Sequence, residues 1–382
     1  MQLYVHIPYC RQKCRYCSFV SFPGQESGIQ AYIDLLLQEA QIRKNEVSEQ
    51  ITTVYIGGGT PSLLSSEQIR RLITGLQDTF DLTGVCEFTT EANPGTVTKD
   101  WLDTAASLGI NRISFGMQAF QDHLLQLLGR THTFDDVKKS ASQARESGID
   151  NISLDLIFGI PGQTLSEWNE TTDAALSLAP FHLSAYGLIP EEGTPLYCDL
   201  DNKRLNLPDP ESEREMYDSF IQKTRLSGFS QYEISNFARN GYECQHNIGY
   251  WTQLPYLGLG VSAASMTGIR YNSDGMSYVR SVNPDTLEAY EKAISIGLPA
   301  EQEQVTPQEA RFETMMLGLR MNRGVSDAEF LTKHRLTIQQ CYGDKLFDLE
   351  QNGLIVHENG AWRLTARGFD IQNSVLVELM DD

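Results

Sequence analysis

Short hydrophobic runs alternate with amphipathic stretches through roughly the first 230 residues of the chain. The apolar runs lie between turn-forming residues, which is typical of buried strands. The predicted strands cover residues 3–7, 53–56, 86–91, 112–115, 151–157 and 182–186. The predicted helices cover residues 29–44, 65–79, 99–108, 133–146 and a segment from about 166. This alternation predicts an α/β fold, and six repeats favour a partial (β/α)6 TIM-type barrel over a closed eightfold one.

The pattern changes after residue 230. Residues 228–275 are rich in glycine and aromatic residues and predict less regular structure. From residue 306, three helical stretches precede two short strands joined at Asn359-Gly360, a turn signal for a hairpin that resembles the wing of a winged helix. The sequence therefore predicts a barrel domain over 1–230, a linking region over 231–300 and a C-terminal helical, winged-helix-like domain over 301–382.

Composition narrows the possible roles of these regions. The 382 residues carry a formal net charge of -20, which repels nucleic acid and argues against DNA binding by the winged helix. The chain has no apolar run long enough for an integral membrane segment and no secretory signal, so we expect a cytoplasmic protein. Seven cysteines, three of them clustered, favour a metal site over a disulfide framework.

The cysteine cluster directly follows the first predicted strand and comprises Cys10, Cys14 and Cys17. This spacing can place three thiolates on three irons of a cubic 4Fe-4S cluster. The fourth iron then has no cysteine from this run and stays open to another ligand. The motif therefore predicts a metal site that supports chemistry at an open iron, whereas a cluster closed by four cysteines mainly carries electrons.

Polar segments follow the other predicted strands. Gly57-Gly58-Gly59-Thr60 follows the second strand, where glycines let the backbone approach a ligand closely. Glu91 ends the third strand, Gln118 follows the fourth and Asp155 lies on the fifth. In a parallel α/β fold these positions share the carboxyl-terminal rim, where ligands bind.

Each of these residues also has an ordinary structural explanation: a tight turn for the glycines, a helix cap or ion pair for a carboxylate, and a surface ion pair for Arg130. Taken together they suit a ligand with ammonium and ribose groups, because carboxylates accept hydrogen bonds from both. A ligand with amino and carboxylate groups can chelate the open iron while its other half reaches across the sheet. S-adenosylmethionine (SAM) has these parts.

The cysteine run and Gly57-Gly-Gly-Thr-Pro together resemble the radical SAM superfamily. Further motifs make the chain similar, over nearly its whole length, to the oxygen-independent coproporphyrinogen III oxidases and their HemW relatives. These motifs are Tyr4-x-His6-Ile-Pro-Tyr-Cys10, Glu91-Ala-Asn-Pro94, Ser114-Phe-Gly-Met-Gln118, Arg130 and Asp155-Leu-Ile-Phe-Gly-Ile-Pro-Gly-Gln163.

The resemblance implies a role for each matched residue. Cys10, Cys14 and Cys17 would ligate the cluster, and Tyr4 would border the site. Residues expected to contact SAM are Gly58, Gly59, Thr60, Glu91, Gln118, Arg130 and Asp155, with Gly187 and Ile189 on its adenine side. The reduced cluster would donate one electron to the sulfonium of SAM and cleave a carbon–sulfur bond.

One departure separates the two kinds of relative. The oxidases usually carry a further cysteine two positions after the third, where this chain has Phe19. Phenylalanine cannot act as a thiol, a hydrogen donor or a ligand. We therefore expect no coproporphyrinogen oxidase activity, although that enzyme is the alternative interpretation, and a radical SAM enzyme with another substrate is a third.

His246-Asn247-Ile-Gly-Tyr250-Trp251 resembles the H-N-x-x-Y-W motif of HemW, which is associated with haem binding. A neutral imidazole can ligate haem iron, and aromatic faces can stack on a porphyrin. A structural loop with a hydrogen-bonded histidine is the alternative explanation. Cys244 is a second candidate ligand, whereas His6 is expected to support the cluster loop.

The leading hypothesis is a haem chaperone that binds haem and transfers it to haem-requiring proteins, with the respiratory chain as the expected destination. The sequence leaves open whether SAM is consumed, and so whether the protein is an enzyme. Arg11, Lys13 and Arg15 lie among the motif cysteines. They are either solvated loop charges or a contact surface for an acidic, flavodoxin-like electron donor.

Overall fold

The computed structural model describes residues 1–297 and 301–380. The strands formed by these residues, in chain order, are β1 (Gln2–Ile7), β2 (Tyr9–Cys10), β3 (Phe22–Pro23), β4 (Thr53–Gly58), β5 (Glu87–Ala92), β6 (Arg112–Gln118), β7 (Asn151–Phe158), β8 (His182–Gly187), β9 (Ser230–Gln231), β10 (Asn236–Ala238), β11 (Tyr256–Leu259), β12 (Ala264–Asn272), β13 (Gly275–Val282), β14 (Glu301–Val305), β15 (Val325–Ser326), β16 (Ile355–Glu358) and β17 (Ala361–Leu364).

Helices begin mostly after a serine or threonine whose side chain caps the first turn, as at Ser65, Thr133 and Thr164. The α-helices in the same part of the chain are α1 (Ile29–Arg43), α2 (Ser66–Thr79), α3 (Lys99–Ser107), α4 (Asp122–Leu128), α5 (Phe134–Glu146), α6 (Leu165–Ser177), α7 (Pro195–Asp201), α8 (Pro210–Leu226), α9 (Gln245–Trp251), α10 (Leu287–Ser295), α11 (Pro307–Gly318), α12 (Asp327–His334), α13 (Ile338–Gln351), α14 (Ala366–Asp370) and α15 (Gln372–Leu379).

The strands β1, β4, β5, β6, β7 and β8 lie side by side, and each pairs in parallel with its neighbour. Five of the intervening helices, α1, α2, α3, α5 and α6, are those that the sequence pattern predicts. Apolar side chains on these strands, such as Leu3, Val5 and Val54, are fully buried. The predicted partial (β/α)6 barrel is therefore confirmed.

Both ends of this barrel sheet carry further strands. On one side β11 pairs in parallel with β1, and β12, β13 and β14 follow in antiparallel order; on the other side β10 and β9 extend β8. The expectation of irregular structure across 228–275 is therefore wrong for β11 and β12. A Cβ at Gly258 would lie 2.1 Å from the carbonyl oxygen of Ala264, so this glycine serves close strand packing.

The C-terminal residues form a separate small core around a three-stranded sheet in the order β15-β17-β16. Phe330, Ile338, Leu346 and Leu364 are buried there, and β16 and β17 form the predicted hairpin. The boundary predicted at residue 300 lies outside the described residues, as do positions 381 and 382. No helix within the described ranges is long and apolar enough to cross a membrane.

Candidate functional site

A cavity of about 360 Å³ opens at the carboxyl ends of the parallel strands. The predicted site residues that line it are Cys10, Cys14, Cys17, Gly58, Gly59, Thr60, Glu91, Gln118, Arg130, Asp155, Gly187 and Ile189. The structure thus brings together side chains that are far apart in sequence. Tyr4 and His246 are not among the residues that line this cavity.

The three cysteines lie on a loop that is held against the rim by its backbone. Cys10 ends the short strand β2, which pairs with β3, and the Cys17 amide donates to the Cys14 carbonyl oxygen at 3.3 Å. The Arg15 amide donates to the carbonyl oxygen of Leu128 at 3.0 Å. These contacts keep the three half-buried thiols facing the cavity.

Neighbouring polar groups contact two of the sulfurs. The Thr60 hydroxyl donates to Cys10 Sγ at 3.5 Å, and Arg130 Nη1 donates to Cys14 Sγ at 3.4 Å. Burial raises the pKa of the Cys10 and Cys17 thiols. Burial disfavours the charged thiolates, so a metal bound to these sulfurs would have to stabilise them.

The donor set suits a cluster better than a single metal ion. Within the described ranges, no three histidine, cysteine, aspartate or glutamate side chains lie close enough together to hold one ion. A cubane offers a different iron to each thiolate, so its ligands need not converge on one point. Three thiols around one cavity fit that requirement.

Two glycines of the Gly57–Thr60 segment lie so close to neighbouring groups that a side chain at either position would clash with them. Gly58 has a φ of +110°, and a Cβ there would lie 2.6 Å from the His6 ring. A Cβ at Gly59 would lie 2.6 Å from the carbonyl oxygen of Tyr9. The Thr60 amide donates to that same oxygen at 2.7 Å, so the glycine segment and the cysteine loop are packed as one unit.

Glu91 and Asp155 face the cavity from β5 and β7. The Tyr55 hydroxyl and the Gly58 amide donate to the Glu91 carboxylate at 2.8 and 3.1 Å, and Ser114 donates to Asp155 at 2.9 Å. Burial raises the pKa of Glu91 to about 7, and burial also raises the pKa of Asp155. A ligand that brings a positive charge or hydroxyl donors would relieve this desolvation.

Gln118 and Arg130 are positioned by an irregularity in β6. The register with β7 shifts between Gly116 and Gln118, and Gln118 adopts a φ of 64°. Arg130 Nη2 donates to the carbonyl oxygen of Gly116 at 2.8 Å, so the half-buried Arg130 contacts the rim and is not a surface ion-pair residue. Its Nε has no hydrogen-bond partner among the described residues.

Arg112 lines the same cavity, although the motifs of the sequence do not include it. It lies on β6 two residues before Ser114, is buried, and its Nε has no hydrogen-bond partner within the described structure. Its charge lowers the pKa of both Glu91 and Asp155 against the larger effect of burial. The alternation of β6 was the available signal, because Arg112, Ser114 and Gly116 share one face of the strand.

Tyr4 lies one layer away from the cavity. Its hydroxyl is 2.9 Å from His6 Nδ1, and His6 Nε2 is 3.0 Å from the carbonyl oxygen of Val20. His6 therefore contacts the segment that follows the cysteine loop, as the sequence suggested. Tyr4 contacts His6, and the side chains of both residues lie outside the lining of the cavity.

His246 is buried inside the barrel on α9. Its Nδ1 lies 2.8 Å from Thr53 Oγ1 and its Nε2 lies 3.0 Å from the Tyr250 hydroxyl. Both ring nitrogens therefore have protein partners, as in the structural explanation. Asn247, the next residue of the motif, lines the cysteine cavity.

The fold and the cysteine-lined cavity define a radical SAM protein: residues 4–175 match the radical SAM superfamily, and residues 305–371 match the HemN C-terminal domain. The chain is 39% identical over 380 residues to the Heme chaperone HemW of Bacillus subtilis (strain 168), covering 97% of both chains. It is 34% identical over 381 residues to that of Lactococcus lactis subsp. lactis (strain IL1403), covering 99% of this chain and 97% of the relative. The chain therefore belongs to the HemW family.

A solved structure shares the fold over nearly the whole chain. Coproporphyrinogen III oxidase (HemN) from Escherichia coli superposes with a TM-score of 0.85 at 24% identity, covering 99% of this chain and 89% of that one. At this identity the similarity concerns the fold alone.

Proposed function

We propose that this protein is a haem chaperone that binds haem and transfers it to haem-requiring proteins, including those of the respiratory chain. The proposal rests on the near-full-length similarity to curated relatives named heme chaperones. Phe19 supports it, because its exposed ring at the cavity rim cannot replace the additional cysteine of the oxidases.

We infer that the cavity binds a 4Fe-4S cluster and SAM, as superfamily membership implies. Cys10, Cys14 and Cys17 would hold the cluster, which in its reduced form would supply one electron to the sulfonium of SAM. Arg130 would offset the thiolate charge, since its Nη1 already donates to Cys14 Sγ. Glu91 would accept hydrogen bonds from SAM.

Other residues that line the cavity would hold the methionine and adenine parts of SAM. Gly58, Gly59 and Thr60 would leave room for the methionine part, while Gln118 and Asp155 would supply polar contacts. Gly187 and the largely exposed Ile189 lie on the side assigned to adenine. These assignments follow from the family resemblance, and all of these residues line the cavity.

The basic residues of the cysteine loop suggest a protein partner. Arg11 and Lys13 are exposed beside the cluster loop, and we propose that they meet an acidic, flavodoxin-like electron donor in the cytoplasm. Arg15 is less available, because it pairs with Asp199. Reversing the charges of Arg11 and Lys13 should slow cluster reduction by such a donor, with reduction by dithionite as the control.

The haem ligand is a separate question. Coordination by His246 Nε2 would require the loss of its hydrogen bond to Tyr250. Haem titration of His246→Ala tests this role: unchanged haem affinity and spectra would remove His246 as the ligand.

A transfer assay tests the function as a whole. The full chain with a reconstituted cluster is loaded with haem and mixed anaerobically with an apo-acceptor, and haem in the acceptor is followed by its spectrum. Transfer faster than from free haem is the expected result. Conversion of coproporphyrinogen III to protoporphyrinogen IX, with SAM and a reductant, would instead support the oxidase.

A further inference from the structure

A second cavity, of about 370 Å³, lies between α9, α11 and the strands β1, β11, β12 and β13. We call it the aromatic cavity, and its walls include Tyr4, Tyr250, Trp251, Tyr256, Met266 and Met316. The helix α9 connects it with the cysteine cavity. Asn247 in the first turn of α9 lines the cysteine cavity, whereas Tyr250 and Trp251 at its end line the aromatic one.

The wall formed by the sheet is a row of side chains across adjacent strands. Tyr256 pairs with Met266, and Met266 pairs with Arg280. Tyr250 packs on Tyr256 edge to face, with ring centroids 4.8 Å apart. From the opposite side α11 presents Met316. Flat aromatic faces and thioethers therefore surround a space large enough for an aromatic ligand.

One end of the aromatic cavity is polar. Arg280 pairs there with Glu313 and, at 3.2 Å, with Glu303. The Tyr278 hydroxyl donates to Glu313. Burial raises the pKa of Glu313 to about 7. Arg280 has two carboxylate partners here, so an incoming anion would have to displace Glu303 or Glu313 from it. A ligand carboxylate could take the place of one of these glutamates on the guanidinium, because both bind Arg280 by the same kind of charge-assisted hydrogen bond.

We propose that haem binds in the aromatic cavity, with its ring against Tyr250, Trp251 and Tyr256 and its iron facing the thioether of Met266 or Met316. This inference rests on the proposed function, which supplies haem as the cargo. Thioether sulfur is an established axial ligand of haem iron. A carboxylate of haem would replace Glu303 or Glu313 on Arg280.

This position also accounts for the burial of His246. The imidazole holds the Tyr250 hydroxyl at 3.0 Å and Thr53 at 2.8 Å, and so fixes the end of α9 that forms one wall of the aromatic cavity. His246 is then a positioning residue for haem, and the two aromatic residues of its motif, Tyr250 and Trp251, contact the haem ring.

The test is haem titration of the full chain, followed by its visible absorption. Met266→Leu combined with Met316→Leu removes both thioethers with little change of volume. Met316→Trp instead fills the space from a partly exposed position. Met276→Leu is the matched control, because Met276 is buried in the same cluster but does not line the aromatic cavity.

The double leucine variant and Met316→Trp should each weaken haem binding by about tenfold or more. The leucine pair should also change the spectrum of the ferric haem, and Met276→Leu should match the wild type. Unfolding curves for each variant show whether the fold is retained.

Two results separate this inference from the proposed function. If the wild type binds and transfers haem and the methionine variants do so equally well with the same spectrum, haem lies elsewhere and the inference fails alone. If His246→Ala abolishes the haem spectrum while the leucine pair preserves it, His246 is the ligand and the inference also fails. If the wild type neither binds nor transfers haem, the proposed function itself fails.

Discussion

The Tyr4 hydroxyl lies 2.9 Å from Nδ1 of His6, inside the barrel. The ring of Tyr4 lines the aromatic cavity, while the second nitrogen of His6 lies 3.0 Å from the carbonyl oxygen of Val20, just beyond the cysteine loop. Two hydrogen bonds therefore connect the wall of one cavity with the loop that borders the other. Gly58, on the neighbouring strand β4, packs against the same His6 ring.

Tyr4→Phe should loosen the cluster loop. The substitution keeps the ring but leaves His6 Nδ1 without its partner in a buried position, which costs roughly 1–3 kcal/mol of stability. The reconstituted cluster should be lost faster on exposure to a chelator, as followed by its visible absorption. Tyr256→Phe, in the same cavity wall, is the control; equal rates of loss in the two variants would contradict the link.

Gly58→Ala should lower the free energy of unfolding by more than the strain of its backbone conformation alone. Gly58 and Gly109 both have positive φ values, +110° and +96°, but only at Gly58 would a Cβ meet another group, the His6 ring at 2.6 Å. Gly109→Ala should therefore cost only the strain of about 1–2 kcal/mol, and Gly58→Ala roughly 2 kcal/mol more. Denaturant unfolding measures both values, and similar losses would show that His6 moves aside.

Glu91 should make the stability of the cofactor-free protein depend on pH. Its folded-state pKa of about 7 lies above the ordinary 4.5, so the folded protein binds this proton more tightly than the unfolded chain does. The resulting stability is fully present below the unfolded pKa and is lost as the pH rises through the folded one.

Between pH values of about 4.5 and 8, the unfolding free energy of the wild type relative to Glu91→Gln should therefore fall by up to about 3 kcal/mol. Denaturant titrations across this range measure the difference. Glu350→Gln, which makes the same substitution at an exposed position, is the control. A parallel profile for wild type and Glu91→Gln would show that Glu91 titrates normally.

Arg112→Met should weaken both the fold and SAM binding. The substitution removes a buried positive charge near Glu91 and Asp155, which should destabilise the protein by roughly 2–4 kcal/mol. The pKa of Glu91 should rise further, so the SAM affinity should fall most near neutral pH. Arg112→Lys, which keeps the charge without the planar guanidinium, should recover part of both losses; equal behaviour of the two variants would exclude a charge effect.

Several features of the site follow from local pattern. The hydrophobic runs gave the order of the strands, and in parallel strands that order places Glu91, Gln118 and Asp155 on one rim. Ser65 and Gln68 form a capping box that fixes the start of α2 from neighbouring residues alone. Such features can be predicted without tertiary information, because the residues that form them are a few positions apart or repeat along a strand.

Other features depend on partners that are distant in sequence. His246 contacts Thr53 across 193 positions, and no local pattern showed that both of its ring nitrogens are used inside the barrel. The aromatic cavity likewise combines Tyr4 from the first strand with Met316 from α11. The sequence alone determined the barrel, the cysteine cluster and the rim, because periodicity and spacing are local. Only the tertiary structure decided which polar groups are buried and which aromatic faces stay accessible, because burial depends on what packs against each residue.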